Sequence, residues 1–420
     1  MVPTFLELLP EELETIPIWD TVLDTNTTNT TNTTAKLVNK LVKGGRHCAT
    51  PQLVGGGRPA GRCCLGAIRI GGEQNYLGAL KACPQNSTVY QRVRDLAVLE
   101  LEAHPIAAAK HQAKQGCDVC RIVGILAKLP HQKFAFLGDS IQSQAFTAFE
   151  CELRRRGFDV SAGPTKDWPT KGGRWRYGIK MEYCITVKVP EEDDDRSVDF
   201  CFYKHYRPIE DMEEYMALAK SHDVLMINYG LHFLPSKREK PKLQQSLEAF
   251  LEKLVVNATR TSGGTATAHV LYRETSAQHF DNDGGEYQKR KRKRAKSKLC
   301  LPLSKTDNLA RWRQGVFLEA ANRTGVSVVK ALHNKHHAPK PEVAFLPFWD
   351  FTSNLYDLHN GEDCTHYCYT PHTFYPLWRH IRIALDNVVD NVIDNVDSSE
   401  SASSYKRNAT TKPNSIIRVR

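Results

Sequence analysis

Nowhere do eighteen or more apolar residues run together in the 420-residue sequence, so no membrane-spanning helix is written in it. A secretory leader is missing too: MVPTFLELLPEELETIPIWD is acidic and broken by prolines, without a basic start or an unbroken apolar stretch. Either the chain is cytosolic, or a membrane anchor or signal lies outside the sequence given. Aromatic residues are lacking from the basic run at 289–298, KRKRKRAKSK, which supplies much of the formal charge of +10. Without them the run is poorly suited to stacking on bases. It reads as a solvated loop, with a nuclear-import or nucleic-acid patch, or attraction to an acidic polysaccharide or lipid surface, as alternatives.

Cysteine, by contrast, is plentiful. Twelve occur, at Cys48, Cys63, Cys64, Cys83, Cys117, Cys120, Cys151, Cys184, Cys201, Cys300, Cys364 and Cys368. That even and high number suits disulfides in an oxidising compartment. N-x-S/T sequons at Asn26, Asn29, Asn32, Asn86, Asn257, Asn322 and Asn408 point the same way. Together they predict the secretory pathway, in the Golgi lumen or outside the cell.

Four stretches differ in texture. Residues 1–47, acidic and then an Asn/Thr repeat, read as a low-complexity tail with too little apolar content to pack. Residues 48–130 form a lead-in, first cysteine- and glycine-rich, then helical over 88–128. From 131 to 390 strands alternate with helices: FAFLG then SIQSQAFTAFECELRRRG, a helix at 211–220 before VLMINYG, then LQQSLEAFLEKLVVNAT and TAHVLYRETS. RWRQGVFLEAANRTG reads as helix, VSVVKAL and VAFLPFWDFT as strands, 356–371 as a loop, and FYPLWRHIRIALDNVV as the closing helix. Residues 391–420 are a Ser/Asn-rich tail. The alternation predicts an α/β fold with a mostly parallel sheet, whose ligands sit at the carboxyl ends of the strands.

The chemistry-bearing residues fall at those ends. In FLGDS an apolar strand stops at Gly138 and Ser140 opens a helix, which presents the hydroxyl at the sheet's edge and offers N–H groups to an oxyanion. Asp139 is placed to order the turn. A bare polar N-cap is the bland alternative. In EDCTHYC, Asp363 and His366 lie three apart, so the carboxylate can hold one imidazole nitrogen while the other activates a serine. Cys364 and Cys368 either pin that loop by disulfides or, with His359, His366 or His372, ligate zinc, although the spacing fits no familiar zinc pattern. In MINYGLHF, Asn228 and Gly230 end a strand and can build an oxyanion hole. In YRETSAQHF, Arg273 can clamp an acyl oxygen, and Ser276 and His279 can bind substrate.

Taken in order, these segments resemble the SGNH/GDSL hydrolase superfamily, and within it the trichome-birefringence-like and PC-esterase branch. That branch shows GDS-x-x-R-N-Q, a strand ending N-T-G, R-T-x-S-P-x-H-F and D-C-x-H-W-C. Here stand Gly138-Asp139-Ser140 with Gln144, Asn228 with Gly230, Arg273 with Ser276, His279 and Phe280, and Asp363-Cys364 with His366 and Cys368. Gln142-Ser143 replaces Arg-Asn, Ala277 replaces Pro and Tyr367 replaces Trp. The likeness spans residues 131–385 by motif. It implies a three-layer α/β/α sandwich, a Ser140–His366–Asp363 triad and Asn228 as an oxyanion donor; Gly178 is a further donor candidate. The implied activity is O-acetyl transfer from an acyl donor to a glycan or polysaccharide hydroxyl through an acyl-Ser140 intermediate, with no metal or organic cofactor. Acetyl-ester hydrolysis on the same fold is the alternative, and a non-catalytic glycan-binding or nucleic-acid-binding protein the alternative of another class.

Overall fold

The computed structural model describes residues 53–54, 58–59, 88–103, 117–163, 166–167, 181–189, 196–205, 212–234, 236–256, 268–281, 285, 287, 300–303, 311–330, 342–360, 363–368, 370 and 372–387. All belong to one compact unit, Cys48–Arg420. The expected tails at 1–47 and 391–420, most of the lead-in at 48–85, the basic run at 289–298 and Gly178 lie outside the described residues, as does every sequon except Asn322.

Strand β1 (Lys133–Gly138) shows why a central strand forms here. Phe134 and Phe136 point to one apolar cluster and Ala135 and Leu137 to another, because side chains alternate across a strand. Apolar residues on both faces suit only a strand covered on both sides. Asp139 then caps helix α3 (Ser140–Arg155), which follows α1 (Thr88–Ala103) and α2 (Asp118–Leu126). Three strands come next: β2 (Val160–Ala162), β3 (Lys166–Asp167) and β4 (Met181–Lys188). The chain continues through β5 (Ser197–Lys204), α4 (Met212–Ser221) and β6 (Val224–Ile227). Helix α5 (Glu239–Phe250) runs on into a π-helical turn at Leu251–Val256 before β7 (His269–Arg273). Helix α6 (Trp312–Thr324) is closed by Gly325 in the left-handed conformation (φ 70°), as a C-terminal cap requires. Then come β8 (Ser327–Lys330), β9 (Glu342–Leu346), one turn α7 (Trp349–Thr352), a short ladder of β10 (His359–Asn360) with β11 (Asp363–Tyr367), and α8, described over 372–387.

The sheet order is β8-β9-β7-β6-β1-β5-β4-β2, with β3 also on β4. Pairing is parallel from β8 through to β5 and antiparallel at β4. The fold is thus α/β with a mostly parallel sheet. One face buries against α1, α2, α3 and α8, the other against α4, α5 and α6. The side changes because crossovers are right-handed: β1 to β5 travels one way along the sheet and β6 to β7 the other. The reversal leaves a crevice outside the carboxyl ends of β1 and β6. Helix α3 is locked beneath it by Phe149, fully buried and edge-on to Trp378 of α8 with ring centroids 5.2 Å apart. Burial of that size is worth roughly 1.5–3 kcal/mol per side chain.

Two readings of the sequence need revision. Residues 343–352 do not form one strand: Pro347 cannot donate to a ladder, and the chain turns into α7. The 356–371 segment is no plain loop but carries a 3₁₀ turn, Tyr356–Leu358, and the β10–β11 ladder. The hairpin β4–β5 is an addition, and its signal was present: Val198, Phe200 and Phe202 alternate toward the same cluster as Tyr183, Ile185 and Val187.

Disulfides join Cys117 to Cys120, Cys184 to Cys201 and Cys300 to Cys364, and Cys368 is also disulfide-bonded. Such bonds suit a secreted or lumenal protein. No described helix is long and apolar enough to cross a membrane.

Candidate active site

Ser140 sits where β1 hands the chain to α3, at the fork of the sheet. The turn needs a glycine before it: a Cβ on Gly138 would lie 2.9 Å from the Asn228 carbonyl and from Gln142 Cβ. The Asp139 carboxylate accepts the N–H groups of Ile141 (2.9 Å) and Gln142 (3.4 Å), and its carbonyl takes that of Ser143. Asp139 therefore orders the first turn, at the helix end where backbone N–H groups have no intrahelical partner. Ser140 is not at an open edge; it is 4% exposed.

Its hydroxyl lies 2.7 Å from His366 Nε2, and His366 Nδ1 lies 2.7 Å from Asp363 Oδ2. The other Asp363 oxygen accepts the backbone N–H groups of Thr365 and His366, which holds the carboxylate in place against the ring. Burial acts to raise the Asp363 carboxyl, but the hydrogen bond and charge of His366, with those two N–H groups, outweigh it and hold it below its ordinary value. Asp363 is thus an anion at neutral pH, and His366 has a fixed orientation toward Ser140.

Two features bring residues 226 positions apart into register. Gln144, one helical turn after Ser140, meets the backbone of Tyr367 twice: its Nε2 donates to the Tyr367 carbonyl (2.9 Å) and its Oε1 accepts the Tyr367 N–H (3.3 Å). The amide acts as a strand partner for β11 and fixes the residue after His366. The Cys300–Cys364 bond pins the strand from the other side.

The YRETSAQHF segment is largely buried, and its Thr275 and Ser276 line a small cavity with Arg311, Arg313 and Trp349. Arg273 is fully buried; its Nε donates to Gln142 Oε1 (2.8 Å) and its Nη1 to the Glu274 carbonyl (3.0 Å). Burial pulls its guanidinium down to about 10, against the charge of Asp139. Ser276 is 3% exposed and His279 not at all. His279 Nε2 faces the Ser353 carbonyl at 3.1 Å, its Nδ1 lies 2.6 Å from His359 Nε2, and His359 Nδ1 lies 2.9 Å from the carbonyl of His366. Burial pushes the two imidazoles down to about 4 and about 3, so both are neutral at pH 7. Around them Glu274 accepts the N–H groups of Phe348 and Trp349, Gln278 donates to Thr365, and the His279 N–H bonds the Cys364 carbonyl. The segment is a buried frame between α3 and β11. A sequence places polar groups at a strand's end without showing that another layer covers them.

Asn228 lies beside the nucleophile's turn, its backbone against Leu137 and Gly138. The Asn228 Nδ2 donates to the Arg273 carbonyl (2.9 Å) and to Thr275 Oγ1 (3.4 Å), so both of its hydrogens point toward β7. Gly230 has φ 135°, and a Cβ there would meet Arg313 Cδ at 2.8 Å; its carbonyl accepts from Arg313 Nε.

The zinc alternative fails on the state of its sulfurs, since Cys364 and Cys368 are both disulfide-bonded and no thiolate remains to bind a metal. Among the described residues no other cluster of His, Cys, Asp and Glu could hold a metal ion. Compared with protein-family models, with curated proteins and with solved structures, the chain gives no match.

Proposed function

We propose that the chain is a serine-dependent acyl-ester enzyme that transfers an acyl group, most simply acetyl, to a glycan or polysaccharide hydroxyl. One observation carries the reading: Ser140 Oγ, His366 and Asp363 stand in line at 2.7 Å and 2.7 Å. A serine hydroxyl is a poor nucleophile at neutral pH, and this relay is the arrangement that activates it. The ordered motifs and the parallel sheet with helices on both faces support an SGNH-type sandwich of the PC-esterase branch. The disulfides support action in the Golgi lumen or outside the cell.

In the mechanism Ser140 Oγ attacks the acyl carbonyl while His366 Nε2 takes its proton. Asp363 stabilises the imidazolium. The Ser140 N–H at the head of α3 receives the oxyanion, and Asn228 becomes a second donor by releasing Thr275. The tetrahedral species collapses, the donor's alkoxide leaves with the proton from His366, and acyl-Ser140 remains. A sugar hydroxyl, deprotonated by His366, then attacks the acyl carbon, and Ser140 leaves with the returned proton. Water in place of the sugar gives hydrolysis.

The full chain, oxidised, is treated with a fluorophosphonate probe and, separately, with an acetyl donor in the presence of glycan acceptors or water alone. Label on Ser140 and acetyl release are expected, both lost by about 10³-fold or more in Ser140→Ala and His366→Ala. If both variants match the parent, the assignment is wrong. Acetyl appearing only in acetate assigns hydrolysis.

A further inference from the structure

Cys117 and Cys120, in the sequence Cys117-Asp118-Val119-Cys120, are joined by a disulfide across the first turn of α2. Three observations separate this bond from Cys184–Cys201 and Cys300–Cys364. It spans three positions, whereas Cys184–Cys201 spans 17 and Cys300–Cys364 spans 64, so it restrains the unfolded chain least. It ties no two elements together, and α2 is already held by buried Val119, Ile122, Val123, Ile125 and Leu126. Both of its cysteines are half-buried, while Cys184–Cys201 and Cys300–Cys364 each have one deeply buried member, Cys201 at 4% and Cys364 at 3% exposed. As a staple it does little, and a thiol can reach it.

Its surroundings favour exchange. Cys117 is the N-cap of α2, and its Sγ accepts the Cys120 N–H at 3.3 Å. When the bond opens, that N–H and the positive end of the helix stabilise a Cys117 thiolate, which makes it both a good leaving group and a good nucleophile. Asp118, between the two sulfurs, has its charge taken up by Arg382, whose Nε donates to it at 2.7 Å, and so opposes the thiolate little.

We infer that Cys117–Cys120 is a redox-active pair that exchanges electrons with dithiols. This inference is independent of the acyl-transfer reading. A thiolate of the dithiol attacks Cys117 Sγ; the new S–S bond forms as the Cys117–Cys120 bond breaks, and Cys120 leaves and takes up a proton. The second thiol of the dithiol, deprotonated, attacks its own sulfur in the mixed disulfide and expels Cys117 as thiolate. The dithiol is oxidised to its disulfide, and the pair gains two electrons.

The oxidised full chain is equilibrated across graded ratios of reduced to oxidised glutathione, quenched by alkylation and read by peptide mass spectrometry. Cys117–Cys120 is expected to open with an equilibrium constant at least 100-fold larger than Cys184–Cys201 or Cys300–Cys364, a displacement of about 60 mV. Opening together with or after the other bonds overturns the inference. Polarity is tested with glutathione disulfide: C120S is expected to form its adduct at Cys117 at least tenfold faster than C117S does at Cys120. Equal rates overturn the inference, and so does unfolding of either variant, which would assign the bond a structural role.

Discussion

Replacing Gln144 with Leu keeps the size of the side chain and removes both bonds to Tyr367, the donor to its carbonyl at 2.9 Å and the acceptor of its N–H at 3.3 Å. Gln144 is 3% exposed and Tyr367 1%, so water does not replace what is lost. Two buried backbone groups left without partners cost about 1–3 kcal/mol each before relaxation, and about 2–3 kcal/mol in total is a fair expectation. At ~2–4 °C per kcal/mol that lowers Tm by roughly 4–12 °C. The rate should fall further than stability alone explains. His366 precedes Tyr367, and a shift of about 1 Å at the base is worth ~10²-fold in rate. Fluorophosphonate labelling at 20 °C, where the variant is still folded, separates the two effects. Gln144→Glu should behave similarly, because a carboxylate accepts from the Tyr367 N–H but cannot donate to its carbonyl. If Gln144→Leu melts with the parent and labels at the parent's rate, the amide does not position the relay.

Arg273→Met tests whether Arg273 frames the site or clamps substrate: a buried frame predicts lower Tm and slower labelling with KM unchanged, and a rise in KM at constant Tm would restore the clamp. Loss of the Cys300–Cys364 bond in C300S opens a loop spanning 64 positions, which the chain-entropy relation values at ~4 kcal/mol; the midpoint of urea unfolding should fall accordingly, and an unchanged midpoint would show the bond to be dispensable. Acid should destabilise the fold through its buried histidines. Burial lowers His222 and His279 to about 4 and His359 to about 3. Each therefore binds a proton in the unfolded chain below about pH 6.5 but not in the folded one until about pH 4 or 3. Stability should be flat above pH 7 and fall as pH drops from 6.5 toward 4, by up to about 1.4 kcal/mol per unit for each group. Tm measured from pH 7.5 to 4.5 should show that slope, less steep in His279→Gln; a flat profile would refute the assignment.

Local pattern was enough for much of this molecule. The apolar runs in residues 134–138 and 224–227, the helical spacing of Leu243, Leu247 and Phe250, and the Gly138-Asp139-Ser140 turn all depend on near neighbours, and each stands in the structure as the sequence implies. Periodicity and turn chemistry are short-range properties, so the α/β class and the placing of Ser140 and Asn228 just after strands could be read directly. The β4–β5 hairpin was overlooked although its alternation is plain, because the acidic segment between its strands masks the pairing.

What covers what is decided elsewhere. Nothing in YRETSAQHF says that β11 and α7 close over it and turn Arg273, Ser276 and His279 from surface contacts into a frame. Nothing near Gln144 says that its amide will meet a strand 223 residues away. The crevice outside β1 and β6 where Ser140 meets His366 follows from the handedness of crossovers, a property of the whole sheet. The sequence by itself determined which groups could do chemistry. Only the packed tertiary structure decided which of them face one another across the crevice and which are buried to hold the others still.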